Sequence, residues 1–382
     1  MNPNMEKANN IHNFPVGDSY VYVSYELDYF IGYVAVIDPV EDKVIKRIQV
    51  GMNPGPMCMN PVENKLYVVN THGNTITVID VNTFNVLKTV RVGTLIGANV
   101  EPVEIFFAPN GYKVYVANSV DHSITIIDAH TDTVITNVDA GPGTPFAFAS
   151  NQNSSYVYVA CKLADKKDYI VAISVNDNSS FQYGNEYELT FDGIHNPLTV
   201  HPDGHTQVTL GTTGLLSYLD IFALSVPTTF SLLDNTVSAV YLDNEYLFCT
   251  TQEGRSYLKQ FIDLEVNMEG QIQGDYTFSE IPSHKGQDKI RVSRNQKYIG
   301  VTIQPTTFPT GGLQILNPTG SQSWFVALDS IGDLAFYSDT KAYVGELSAI
   351  RPIDLATATA LPAIPIGFAT DTRINVKNII SG

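Results

Sequence analysis

Cysteine is scarce in this chain: Cys58, Cys161 and Cys249 are the only three in 382 residues. An odd number, widely spaced and without Cys-x-x-Cys or Cys/His ligand spacing, excludes a disulfide framework and a zinc or haem motif and reads as reduced core thiols. Long apolar runs are also missing. No stretch of 18 or more apolar residues occurs, so no membrane-crossing helix is expected. Nor does Met1-Asn2-Pro3-Asn4-Met5-Glu6-Lys7 lead into the apolar core of a signal peptide. The expectation is a cytoplasmic protein, or an extracellular one if a leader has been removed. Basic residues are few, 22 Lys and Arg against 39 Asp and Glu, for a formal charge of −17, which argues against a nucleic-acid or anionic-membrane partner. The acidic residues are spread along the chain. Solubility is the plain explanation, and an acidic funnel drawing in a cationic ligand is the sharper one.

What the chain does contain is repetition. Lys65-Leu66-Tyr67-Val68-Val69-Asn70 is followed by Ile76-Thr77-Val78-Ile79-Asp80, and Lys113-Val114-Tyr115-Val116-Ala117-Asn118 by Ile124-Thr125-Ile126-Ile127-Asp128. Both the tyrosines and the aspartates are 48 residues apart, so whole structural units are copied. Within each copy apolar and hydroxyl side chains alternate with the period of a strand, and Thr71-His72-Gly73-Asn74 between the runs suits a tight turn. One unit parses as four strands: Val103–Ala108, Lys113–Asn118, Ser123–Asp128 and Thr133–Asp139. Its third strand recurs with falling fidelity from Val36-Ile37-Asp38 to Pro352-Ile353-Asp354, which makes eight units.

A four-stranded meander of this size cannot bury both faces alone, and radial packing of such sheets is the usual solution. The expected fold is all-β: one β-propeller of four-stranded antiparallel blades over residues 13–382, behind a loose segment 1–12. Eight blades are expected, with seven open because Cys161 replaces the repeat Asn and Thr209-Leu210-Gly211 and Leu247-Phe248-Cys249 barely keep the pattern. The first unit lacks an inner strand before Tyr20, while Arg373-Ile374-Asn375-Val376 is left over at the far end. The C-terminus is therefore expected to complete the N-terminal blade and close the ring. Tyr67-Val68-Val69-Asn70, Tyr115-Val116-Ala117-Asn118, the Val-Ile-Asp endings and the closings Val50-Gly51 and Val92-Gly93 resemble the YVTN-type β-propeller repeat of microbial surface-layer and related proteins. The resemblance is strong over residues 20 to 141 and weak over 142 to 366. It implies a scaffold that hosts lyases, cyclases, electron-transfer subunits and binding modules, often exported.

On such a scaffold, ligands favour the links from one blade to the next and the loops between second and third strands. The link from Gly93 to Pro102 is several residues longer than its counterpart from Gly51 to Pro54 and can cover a pocket. Two further links carry His195, and His284, Lys285 and Asp288. The other loops and this link add Glu26, Asp28, His72, Glu101, His122, Arg255 and Glu346 as candidate ligand-binding residues. Arg291 and Arg373 fall on inner strands, where a guanidinium can bind a carboxylate or phosphate, or be tied up by Asp333 or Asp371. A histidine facing an acid across a channel can act as base and acid or hold a divalent ion. Such a pair resembles that of propeller lyases acting on antibiotics, which use histidine and glutamate with magnesium, although none of their contiguous motifs occurs here. His201-Pro202-Asp203-Gly204-His205 occupies the slot of Ala108-Pro109-Asn110-Gly111-Tyr112 and reads as a structural turn. No G-x-S-x-G elbow, Walker loop or H-E-x-x-H occurs, and the single Trp324 excludes the per-blade tryptophan pattern of quinone propellers.

Two functions fit these residues. The first is a non-catalytic binding or interaction propeller, monomeric, presenting its acidic loop face to a protein, glycan or small molecule, with no evident cofactor. The alternative is a lyase, cyclase or hydrolase in which His195, His284 and Asp288 are catalytic at the channel mouth, with Mg or Ca as the candidate ion.

Overall fold

The computed structural model describes residues 20–381 except 28–29, 61, 95–98, 109–110, 151–154, 165–166, 184–190, 192–197, 202–207, 213–214, 220–227, 232–235, 243–245, 252–253, 267–271, 306–310 and 368–373. Among the described residues the elements are all strands, gathered into eight antiparallel sheets, seven of four strands and one of five. The chain is a β-propeller with four-stranded antiparallel sheets as blades. The parsed repeat is seen as Pro102–Phe107, Lys113–Asn118, Ser123–Asp128 and Thr133–Asp139. The N-terminal sheet takes its first strand from the other end of the sequence, because Ile374–Ser381 pairs antiparallel with Val21–Leu27.

Two compact units divide the chain, one of His12–Phe146, Arg291–Asn317 and Gln322–Gly382 and a second of Met1–Ile11, Ala147–Ile290 and Pro318–Ser321. In the first unit the inner strands lie side by side: Leu334–Phe336 against Ile374–Ser381, that strand against Pro54–Asn60, and Pro54–Asn60 against Pro102–Phe107. Strand alternation sends successive side chains into different seams. Leu66 and Val68 join Tyr22, Val34 and Val36 in one core, whereas Tyr67 and Val69 join Ile105, Phe107 and Val116 in the next. This is why the repeat strand is apolar at nearly every position although it is a strand. In the second unit, two sheets contain Leu198–Val200 and Thr236–Tyr241 as first strands.

The repeat residues are explained by the seams and turns. Asp38, Asp80, Asp128 and Asp354 each accept backbone N–H bonds from the second and third residues onward with one carboxylate oxygen, closing the turn to the outer strand. The residue after each of those turns adopts a left-handed backbone: Asp42, Phe84, Asp132 and Ala358. Where it is an aspartate, it is used again. Tyr67 donates its hydroxyl to Asp132 at 2.6 Å while Lys65 reaches the same carboxylate at 2.9 Å, and Tyr343 and Lys341 do likewise with Asp42. Lys-x-Tyr on one sheet therefore clamps Asp on its neighbour. Burial first and Asp132 second push the Tyr67 phenol far above its ordinary pKa, so it stays protonated and donating.

Candidate functional site

At one end of the first unit, the turns between second and third strands meet the links that enter each sheet. Thr71 N donates to the Asn53 carbonyl at 3.0 Å, and Ser119 N and Oγ both donate to the Glu101 carbonyl at 2.9 Å. A turn is also joined to the link entering the next sheet, since Asn74 Oδ1 accepts from Val100 N and Glu101 N at 3.0 and 3.1 Å. The repeat asparagine anchors its own link: Asn70 Oδ1 accepts from Gly51 N at 3.0 Å, and its amide donates to Thr77 Oγ1 at 2.8 Å. In the next copy Gly93 N turns to Thr125 Oγ1 instead, and the buried Asn118 Oδ1 has no partner among the described residues. The longer link from Gly93 thus breaks one bond of the repeat.

Apolar side chains stand out from this tied loop end. Phe30 is 68%, Leu347 71%, Val120 45% and Met52 41% exposed, on two of the strand-connecting turns, the turn bearing Leu347 and a link. Polar residues share these turns and links. His72 is exposed, and His122 Nδ1 donates to the Gly143 carbonyl at 2.9 Å. Glu101, in a left-handed backbone, accepts from Asn99 Nδ2 at 2.6 Å, and Glu346 is held by Arg351 through two bonds of 3.1 and 3.0 Å.

A second polar group crosses the inner strands. Arg291 donates to Asp333 Oδ1 at 3.0 Å, Asn378 Nδ2 donates to Asp333 Oδ2 at 2.5 Å, and Met57 N donates to Asn378 Oδ1 at 3.2 Å. The Asp333 side chain is wholly buried, whereas that of Arg291 is 42% exposed. Beside Asn378, Lys377 is the residue skipped by the pairing between Ser24 and Tyr25, a bulge that re-aims its side chain onto Glu26 at 3.6 Å. Glu26 is buried, and its Oε1 has no partner among the described residues.

Of the sequence candidates, Glu26, His72, Glu101, His122, Arg291 and Glu346 fall in this unit, but on different turns and strands. Asp28, His195 and Arg373 lie outside the described residues, and Arg255 is described only as the first residue of the strand Arg255–Val266. His284 and Lys285 are exposed, while Asp288 is buried on Gln287–Val292. Among the described residues, no three His, Cys, Asp or Glu gather as a metal site would need. Sequence reasoning missed Lys377, Asn378, Phe30 and Leu347. The run Asn375-Val376-Lys377-Asn378 is a hint in retrospect, because an inner strand with three polar residues in four is not made for packing alone. Chemically the inner-strand group couples two partly exposed cations to buried acids, and the loop end can offer an apolar surface.

A YNCE-like β-propeller model matches residues 7–179. No curated protein matches the chain in sequence. Among solved structures the chain is similar to the dihydro-heme d1 dehydrogenase NirN, with a TM-score of 0.70 and 13% identity over 95% of this chain and 77% of that one. It is also similar to AztD from Citrobacter koseri, with a TM-score of 0.61 and 14% identity over 95% and 98%. Hydrazine synthase of Kuenenia stuttgartiensis follows with a TM-score of 0.53 and 15% identity over 84% and 98%. Identities this low speak for the propeller fold alone.

Proposed function

We propose that this protein is a binding propeller whose loop end docks a partner protein. The observation that supports this is the set of apolar side chains, Phe30, Met52, Val120 and Leu347, standing 41% to 71% exposed on loops that backbone hydrogen bonds hold in place. Exposed apolar groups rimmed by polar ones mark surfaces that bury on association, and pre-ordered loops lose little entropy when they do. The opposite end also exposes Val62 and Tyr112, at 70% and 71%, which makes it the natural control. Affinity capture with the wild type should return a partner that Phe30→Asp with Leu347→Asp loses and Val62→Asp keeps. Equal retention by all three, or equal loss, would overturn the assignment to the loop end.

The enzyme reading keeps one observation in its favour: a buried acid, Asp288, follows an exposed base, His284, four residues earlier in the same stretch of chain. Two of the similar structures are named as enzymes, which shows that a propeller can carry such chemistry in those proteins. An activity found by substrate screening that falls at least a hundredfold in both His284→Ala and Asp288→Asn would favour it.

A further inference from the structure

One sheet departs from the others at the turn that leads to its outer strand. In three sheets the third strand stops opposite the first residue of the second, on the aspartate that closes the turn: Asp80 lies opposite Lys65, Asp128 opposite Lys113 and Asp354 opposite Lys341. In the sheet of Thr236–Tyr241, Tyr246–Thr251, Arg255–Val266 and Ile272–Pro282, the residue opposite Tyr246 is Gln260. Aspartate closes such a turn because its short side chain reaches the backbone two residues on. Glutamine does not, and the strand runs on to Val266. It is 12 residues long, whereas no other third strand among the described residues exceeds eight. The outer strand, 11 residues long, returns beside it. Residues 261–266 and 272–276 pair with each other, Phe261 opposite Tyr276 and Val266 opposite Ile272, and with no other strand among the described residues. They form a two-stranded ribbon about 20 Å long that continues past the second strand.

An isolated two-stranded ribbon is marginally stable in water, and residues 261–266 present a row of backbone groups on the edge where the second strand has ended. Sheet proteins commonly guard an edge with lysine or proline, as Lys43 and Lys46 guard the outer strand Lys43–Val50. Residues 261–266 contain neither. They offer Asp263 and Glu265, and the whole stretch 261–276 holds four acids and no Lys or Arg. A second copy of this chain, itself of formal charge −17, would bring the same acids to the same edge, and like charges across a strand pair are destabilising. The charge rejects self-pairing and favours a basic strand.

We infer that residues 261–266 are a docking edge for an extended, lysine- or arginine-rich segment of another protein, which joins the ribbon as a strand where the second strand stops. Backbone hydrogen bonds supply the affinity, and Asp263 and Glu265 select the basic partner. The ribbon belongs to the other compact unit from the loop-end residues, so this docking does not depend on the one proposed there.

The test is fluorescence anisotropy of the full chain, at fixed ionic strength, with a labelled octapeptide of alternating Lys and Val. An octapeptide of alternating Lys and Pro carries the same charge but lacks half of the backbone donors, and should bind at least tenfold more weakly. Asp263→Lys with Glu265→Lys should weaken the Lys-Val peptide at least tenfold and gain binding to its Glu-Val counterpart. Replacing residues 261–276 by Asn-Gly, a two-residue turn joining the cross-strand partners Gln260 and Thr277, should abolish binding while circular dichroism shows the sheets intact. If that variant does not fold, the charge reversal, which removes no backbone, decides. No binding of the Lys-Val peptide to the wild type, equal binding of the two lysine peptides, or undiminished binding in the charge reversal overturns the edge. So does a wild type that sediments as a dimer and becomes a monomer on the Asn-Gly replacement, because the occupant would then be a second copy.

Discussion

At the scale of single residues, the two repeat tyrosines Tyr67 and Tyr115 look interchangeable in sequence and are not in structure. Tyr67 satisfies its hydroxyl on Asp132, whereas the buried Tyr115 hydroxyl has no partner among the described residues. Removing one partner of a buried bond costs about 1–3 kcal/mol, while deleting an unsatisfied group is near neutral or stabilising. Denaturant melts should therefore show Tyr67→Phe destabilised by about 1–3 kcal/mol and Tyr115→Phe within about 0.5 kcal/mol of wild type or above it. Comparable losses in both would mean that the clamp is not what the tyrosine contributes. The same scale governs acid stability. Asp128 and Asp354 are held below the ordinary carboxylate range, chiefly by the backbone N–H of Thr131 and of Thr357, and Asp177 is drawn down to about 2, first by the Ser179 hydroxyl. A carboxyl depressed in the folded state stabilises above its unfolded pKa of about 3.9 and loses that contribution as pH falls through the lower folded value. Melting temperature should fall below about pH 4, and less steeply in Asp128→Asn than in wild type, since Asn closes the same turn without titrating.

At the scale of the element, the Val-Gly closings and the motif asparagine are parts of one joint. A Cβ on Gly51 would lie 2.5 Å from Asn70 Cγ, and one on Gly93, at φ +85°, would lie 2.4 Å from a methyl of Val100. At Gly51 the link can receive the asparagine only if it carries no side chain, and at Gly93 the link packs on its own Val100 instead. Gly93→Ala adds backbone strain to that clash and should cost more than about 1 kcal/mol, whereas Gly55→Ala, whose nearest neighbour would be 3.6 Å away, should be tolerated. Thermal melts of the pair check this, and equal stability would show that the link adapts. These joints were legible in the sequence as motif letters, since Asp, Gly and Asn each have a local reason to recur. The clamp of Lys and Tyr on Asp was not, because its partners are 65 and 67 residues apart and one of them is present in only some copies.

At the scale of the whole molecule, the N-terminal sheet depends on the last strand. Every residue of Val21–Leu27 is buried, with Ile374–Ser381 bonded along one edge. Ending the chain after Gly367 should uncover that strand and leave a row of unpaired backbone groups, so the truncated protein should unfold at far lower denaturant or aggregate. Circular dichroism and light scattering distinguish those outcomes from an undisturbed protein, which would show the last strand to be dispensable.

By itself the sequence determined the all-β class, the unit length and the turn chemistry, because alternation, left-handed turn positions and capping aspartates are short-range properties of the chain. It also carried the need for Ile374 onward to return to the first sheet, since a repeat missing one strand at its start and owning a spare at its end has one way to balance. Only the tertiary structure decided which polar residues work together. Arg291, Asn378 and Met57 are drawn from three inner strands and Asp333 from the residue just before a fourth, across most of the sequence, and Glu26 and Lys377 from its two ends. Their grouping follows from packing one sheet against the next, a long-range event that leaves no spacing in the chain to read.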